Sequence, residues 1–326
     1  MVKLSPRLEQ IFTKTKTVCF GRFLIEVPTT AAVVFGRMTV DFEIAYYRGE
    51  AGIVDERIAK HTLKLEKEDF LNKNMNTPGS LYGKILAGGD NQKTFVGANN
   101  DAYYIYSYIP VEANLFIFEV NSILTTKEVK QEIAKAESFA RQLRARADDN
   151  IPAEPGICLE GGFINLNPQY ENISMGVRLA EFPDVHLSIS TLKNQDGVVE
   201  SSSLENRIRA AEREAIQDGQ GGLHKRIKFF RREPRQMGDW RGEEALARMP
   251  AEKGGFVSHQ FQFYAVGEPN NILRPVVDMQ LDTGVADNTT KARPPSVTDD
   301  EAVALWDRLT GSIRVRPTTP TATAQK

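Results

Sequence analysis

One order of elements, met twice along the chain, constrains this sequence more than any single motif. Residues 17–27 are β-rich and close at Pro28, and Arg37–Tyr47 alternates Val40, Phe42, Ile44 and Tyr46 with Asp41, Glu43 and Ala45, the period-two pattern of a half-buried strand. Val54, Ile58, His61 and Leu65 then fall at helical spacing and predict an amphipathic helix over 54–75, ending near Thr77-Pro78-Gly79. Four strands are expected at 81–87, 92–97, 102–109 and 115–123, cut by Gly88-Gly89-Asp90, Asn99-Asn100-Asp101 and Glu112-Ala113-Asn114, with a meander as their simplest connection. Thr125-Thr126-Lys127-Glu128 supplies a capping box for a second helix whose face continues through Val129, Ile133, Ala136, Ala140 and Leu143.

Beyond the polar, proline-bearing linker Asp148–Gly156 the order returns. Strands are expected at 157–166, 173–181 and 184–192, the last alternating Val185, Leu187 and Ile189 with His186, Ser188 and Ser190. Ser202-Ser203-Leu204-Glu205 reads as another capping box, opening a helix through Leu204, Ile208, Ala211 and Ala215 that Gly219 and Gly221-Gly222 terminate. Strands near 225–232, 239–249, 257–266 and 275–282 lead to Thr298-Asp299-Asp300-Glu301, which caps a last helix through Ala302, Leu305, Leu309 and Ile313. Local echoes support the repeat: Cys19 with Gly21-Arg22-Phe23-Leu24-Ile25 resembles Cys158 with Gly161-Gly162-Phe163-Ile164, and Phe139–Leu143 resembles Leu305–Leu309. The expectation is an α+β fold of two similar domains arising by internal duplication, each a mostly antiparallel sheet with two helices packed on one face. The domains would cover 1–149, with 1–16 flexible, and 150–316, followed by a disordered Thr/Pro/Ala-rich tail at 317–326.

The 326 residues suffice for two cores of roughly 100–150 residues each. A formal charge of −2 gives the molecule no field of one sign to attract nucleic acid or an anionic membrane, so such a partner would need a local patch. No apolar run is long enough for a membrane span, and Met1–Lys16 is polar, without the core of a signal peptide. The chain as written therefore reads as soluble. Cys19 and Cys158 are too few for a disulfide framework or thiolate metal site; beside apolar residues in β-rich segments they read as small buried thiols, with one bridge as the alternative.

The chain lacks the serine between glycines of a hydrolase nucleophile elbow, a phosphate-cradling glycine loop and a dinucleotide fingerprint. None of His61, His186, His224 and His259 has another His or Cys at metal-chelating spacing. His61 lies on the apolar stripe of its helix and His259 shares a strand face with Val257, Phe261 and Phe263, so both read as packing residues, while His186 points to the polar side of its strand. The mixed charges Lys64, Glu66, Lys67, Glu68 and Asp69 read as a solvated helix surface. No catalytic, cofactor or metal residue is assigned. The local patch of note is His224–Arg232, where Lys225, Arg226, Lys228, Arg231 and Arg232 interleave with Ile227, Phe229 and Phe230. In a strand it would put charge on both faces, which suits an exposed edge or a protein contact better than a nucleic-acid groove.

Lys14–Pro28 resembles the opening of the immunity proteins paired with the fourth class of type VI secretion lipase effectors. Glu154–Phe163 is similar to the start of that family's C-terminal domain, and the likeness extends through Val177–Val185, the Gly238-Asp239-Trp240-Arg241-Gly242 turn and Asp299-Asp300-Glu301-Ala302 with Leu305–Leu309, spanning nearly the whole chain. The resemblance implies an inhibitor, not an enzyme: it would bind a cognate phospholipase toxin, one to one, with no cofactor, no nucleic acid and no membrane span. Two domains on a short linker would form a cleft that clamps a protruding element of the lipase. It also implies the periplasm, so that either a leader is missing or the start is misplaced, with a cytoplasmic variant as the alternative. No family contact motif maps onto the chain; the expected interface is Lys225, Arg226, Lys228, Arg231 and Arg232, and the polar loop Gly284–Val297 is the other stretch expected as exposed surface near partners. The rival readings are an enzyme whose groups meet only in the fold, and an envelope module for lipid or carbohydrate, which an apolar pocket inside one half would favour.

Overall fold

The computed structural model describes residues 3–67, 75, 78–89, 91–99, 101–195, 203–251, 255–284 and 293–319. In chain order the first half holds α1 (Pro6–Ile11), β1 (Thr15–Phe20), β2 (Phe23–Pro28), β3 (Ala32–Val40), β4 (Phe42–Tyr47), α2 (Val54–Lys67), β5 (Ile85–Ala87), β6 (Lys93–Asn99), β7 (Ala102–Val111), β8 (Asn114–Ile123), α3 (Thr126–Ala140) and β9 (Leu143–Ala145). The second holds β10 (Ile157–Leu159), β11 (Gly162–Ile164), β12 (Glu171–Arg178), β13 (His186–Leu192), α4 (Leu204–Gln217), α5 (Gly221–His224), β14 (Lys228–Met237), β15 (Trp240–Met249), β16 (Ser258–Ala265), β17 (Val276–Asp282), α6 (Asp299–Thr310) and β18 (Arg314–Val315).

Local chemistry sets these boundaries. The strand expected over Arg37–Tyr47 is divided, because Asp41 takes φ 55° and pairs Val40 with Phe42 across a reversal. The segment 17–27 is itself a hairpin, with Phe20 opposite Phe23, and Gly21 supplies the left-handed turn residue at φ 52°. Thr125 with Glu128 and Thr298 with Glu301 form the expected capping boxes. For α4 the box shifts by one: Ser203 is the N-cap, its hydroxyl accepting from the Asn206 N–H, so Glu205 is left for other partners. The terminator reading of Gly219 holds, at φ 74° with Gln220 N–H bonded back to the Ala215 carbonyl at 2.7 Å. Residues 68–74 of the helix expected over 54–75 lie outside the described residues, as do 285–292 of the polar loop and 320–326 of the tail.

Two compact units form, neither contiguous in sequence: Met1–Gly36 with Tyr170–Pro317, and Arg37–Gln169 with Thr318–Lys326. The division expected at 149/150 falls inside the latter. The opening hairpin β1–β2 completes its sheet with β18, through Phe23↔Val315 and Leu24↔Arg314. Likewise β10–β11 takes β9 as its third strand, through Ile164↔Leu143.

In the first unit the antiparallel strands run β14-β15-β16-β17-β13-β12. Met175, Val177, Leu187, Ile189, Phe261, Phe263, Met279 and Leu281 alternate onto one face and meet α6, which the β1–β2 side chains Phe20, Phe23 and Ile25 cover in turn. Of the twelve residues of α6, only Asp299, Asp300 and Arg308 escape burial, the pattern of a core helix. The intervening residues, Ser188, Ser190, Gln260, Gln262, Gln280 and Asp282, point to the opposite face, and there α4 lies.

The second unit repeats the strand order as β5-β6-β7-β8-β4-β3. Here Phe95, Tyr108, Leu115 and Ile117 meet Val54, Ile58 and Leu65 of α2, whereas Val96, Ala98, Tyr103 and Ile105 meet Val129 and Ile133 of α3. α4 and α6 in the first unit, like α2 and α3 in the second, therefore cover opposite faces, which corrects the expectation that the two main helices share one. The reason is legible in Phe95-Val96 and Tyr103–Tyr106, where successive apolar residues demand burial on both sides.

The N-terminus of α6 carries a titratable device. The Glu301 carboxylate accepts from Arg7 Nε at 2.5 Å and Ser5 Oγ at 2.7 Å on Oε1 and from the Thr298 N–H at 3.0 Å on Oε2, and the Arg7 guanidinium first among these holds the Glu301 carboxyl down at about 2. Since that lies below the unfolded value of about 4.3, its stabilisation is complete above that pH and is lost as pH falls towards 2. Glu301→Gln should lower the urea midpoint at neutral pH, and the gap to wild type should close between pH about 4.3 and 2; a gap that does not change with pH would refute the coupling.

Candidate partner-binding surface

The basic stretch begins as α5 ends. Lys225 is its C-cap and Arg226 follows, both exposed; neither has an ion pair among the described residues, and the Arg226 guanidinium donates only to the Ala251 carbonyl at 3.4 Å among the described residues. The stretch then enters β14, the edge strand of its sheet, as its charge on both faces suggested. A bulge between Phe229 and Arg231 sets which way each residue turns. Lys228 reaches Asp299 at 3.2 Å, and Arg231 turns to the α6 side, with Glu244 at 3.3 Å and Asp307 at 2.8 Å. Arg232 turns to the α4 side and grips Glu205 by two bonds of 2.8 and 2.9 Å. Three of the five expected interface cations thus hold helices to the sheet, and two face outward.

Glu244, missed at the sequence level, is the centre of the α6 attachment. Its side chain is 1% exposed and accepts from Trp306 Nε1 at 2.8 Å and Arg235 Nη1 at 2.6 Å as well as from Arg231. On the other face Arg232, helped by Arg209, holds the Glu205 carboxyl down at about 2. α4 is fastened at its first turn, where Glu243 accepts the Glu205 N–H at 2.9 Å and Arg207 lies 4.1 Å over the Tyr264 ring.

Beyond that turn α4 stands off the sheet. A groove of about 900 Å³ opens beneath it, walled by Ile208, Leu223, Ile227, Met249 and Phe256 and floored by Gln260, Gln262, Gln280 and Asp282. Leu204 is the only buried residue of α4. Burial raises the Asp282 pKa, only partly offset by His186 across the strand pair, and the Asp282 carboxylate has no hydrogen bond or ion pair among the described residues. The signal in sequence was the period-two row of polar residues in Gln260-Phe261-Gln262-Phe263 and Asp278-Met279-Gln280-Leu281-Asp282, which marks a face that neighbouring apolar residues leave unfilled.

His61 and His259 pack as expected. His61 stacks on Tyr106 with ring centroids 4.6 Å apart, and burial lowers its pKa. His186 Nε2 lies 3.2 Å from the Pro183 carbonyl. His259 is buried between Thr283 Oγ1 at 2.8 Å and Asp299 Oδ1 at 3.1 Å, a Thr-His-Asp row in outline. Thr283 is fully buried and accepts from the His259 backbone N–H, and Asp299 is also paired with Lys228 and Arg248, so the row ties α6 to β16 and offers no reachable nucleophile. Among the described residues no cluster of His, Cys, Asp and Glu could hold a metal ion, and no helix is long and apolar enough to cross a membrane. Cys19 and Cys158 are fully buried and disulfide-bonded, not thiols as first expected. Of the loop Gly284–Val297, the Gly284 and Ser296 N–H groups are held by Asp184 Oδ2 at 3.1 and 3.0 Å.

Two family models cover the chain in order: the Tle cognate immunity protein 4 N-terminal domain over residues 16–146, and its C-terminal domain over residues 150–318. The chain belongs to the Tle cognate immunity protein 4 family. The resemblance carried by Lys14–Pro28, Glu154–Phe163 and Gly238–Gly242 is thereby shown. Solved structures share the family fold. The apo type VI secretion immunity protein TplEi of Pseudomonas aeruginosa matches with TM-score 0.74 and 22% identity over 94% of this chain and 99% of that one. A chain of the Tle4–Tli4 complex matches with TM-score 0.75 and 21% identity, and TplEi bound to an "L" peptide with 0.70 and 23%, each over the same shares. No curated protein sequence matches the chain.

For this family member the two kinds of basic residue should separate on mutation. Arg231→Ala leaves the buried Glu244 and Asp307 short of a partner and should cost about 2 kcal/mol in urea unfolding. Lys225→Ala and Arg226→Ala should stay within about 0.5 kcal/mol of wild type. Equal effects would contradict the division drawn here.

Proposed function

We propose that this family member binds a cognate type VI secreted phospholipase and blocks its access to lipid, protecting the cell that makes it, and that it performs no turnover of its own. The observation that carries the reading is the match of both family domains, in order, over 16–146 and 150–318. The likeness in fold to a chain solved in a Tle4–Tli4 complex supports it. The complex is proposed to be one to one. Lys225 and Arg226, the two outward cations of the basic stretch, are the residues proposed to meet the effector at its rim, where charges steer encounter more than they add affinity. The shared strand order of the two units supports an origin by duplication.

The compartment proposed is the periplasm. Both cysteines are disulfide-bonded, and disulfides persist in oxidising compartments while the cytosol keeps thiols reduced. Protein taken directly from cells and denatured should resist thiol alkylation until a reductant is added; alkylation of the denatured chain without reductant would count against an oxidising location.

The decisive assay is the phospholipase activity of the cognate effector with and without equimolar purified protein, beside size-exclusion of the mixture. Stoichiometric loss of activity with a co-eluting complex is expected. Full activity with no complex would overturn the reading for that lipase.

A further inference from the structure

The two units treat the same sheet face differently. Under α2 it is filled by Phe95, Tyr108, Leu115 and Ile117, packed with the helix into one core cluster. Under α4, strands in the same order present Ala245, Ala247, Gln260, Gln262, Gln280 and Asp282, and a groove of about 900 Å³ takes the place of the filling. Closing it would gain about 1.5–3 kcal/mol for each large apolar side chain buried. Instead α4 is fastened by polar groups at its first turn, with Ile208 half-buried and Ala211 exposed. The gap is part of the fold.

The lining selects the occupant. Gln262 and Gln280 already donate to Asp278 Oδ1 at 2.9 and 3.3 Å, but an acyl chain would strand the Gln260 amide and the Asp282 carboxylate without partners, at a cost of about 1–3 kcal/mol for each buried group. A phosphate would be repelled by Asp282. A polypeptide satisfies both parts: its main-chain groups pair with the amides, and a lysine or arginine lays its methylene stem on the apolar wall and its cation on the carboxylate.

We infer that the groove beneath α4 is a docking site for a basic, apolar-flanked segment of the effector, with the segment's lysine or arginine on Asp282. The inference rests on the reading of this chain as a lipase inhibitor and adds the place and chemistry of one contact.

The test is calorimetric titration of the cognate lipase into wild type, Asp282→Asn and Ile208→Glu, together with retention of overlapping peptides spanning that lipase on immobilised wild type and Asp282→Asn. Asp282→Asn removes a charge that burial disfavours, so its unfolding midpoint should not fall below that of wild type. Both variants should bind the lipase at least about tenfold more weakly, and the peptides retained by wild type should carry lysine or arginine and lose retention on Asp282→Asn. Wild-type binding with both variants equally tight would overturn the groove as the docking site. A wild type that does not bind the lipase would overturn the inhibitor reading, and the inference with it.

Discussion

The Glu244 carboxylate, buried to 1% exposure, fixes the helix around which the first unit is built. Left alone at that depth it would be strongly destabilising, and it is tolerated because Trp306, Arg231 and Arg235 all donate to it. Those donors come from α6 and from β14, so the carboxylate is satisfied in one register of helix against sheet. The apolar contacts of Leu305, Trp306 and Leu309 supply most of the driving force, but oily surfaces slide, and the charge network says where they stop. The bulge after Phe229 follows from the same demand: it turns Arg231 towards α6 and leaves Arg232 for Glu205 on the other face.

Much of this architecture was legible in residue spacing. Both capping boxes at Thr125 and Thr298 marked true helix starts, because a side chain that satisfies an orphan N–H acts locally and needs no knowledge of the rest of the fold. The meander β5–β8 and the strands β14–β17 appeared where turn residues bracketed apolar runs. What escaped were features decided at long range. β9 and β18 are two or three residues long, and they exist because a distant hairpin offers them hydrogen bonds. Placing both helices on one face failed for a different reason: one apolar face per sheet was assumed, although Phe95-Val96 already carried two.

The candidate surface was less legible. The basic stretch was found, but its residues do unlike work, and spacing alone cannot tell an arginine aimed at a buried glutamate from one aimed at solvent. Glu244 and Asp282 sit in predicted strands with similar neighbours, one among three donors and the other beside an open groove. Only the packing of helices from elsewhere in the chain separates them. The cysteines make the same point, since each lies in a short β segment that looks like a place for a buried thiol, yet both are disulfide-bonded.

The first strands of the chain join their last partners very late. β2 completes its sheet with Arg314 and Val315, so the unit containing residues 1–36 cannot close until nearly the whole polypeptide has been synthesised. A nascent chain must carry the β2 edge of its opening hairpin without its third strand through most of translation, with Phe20, Phe23 and Ile25 awaiting α6.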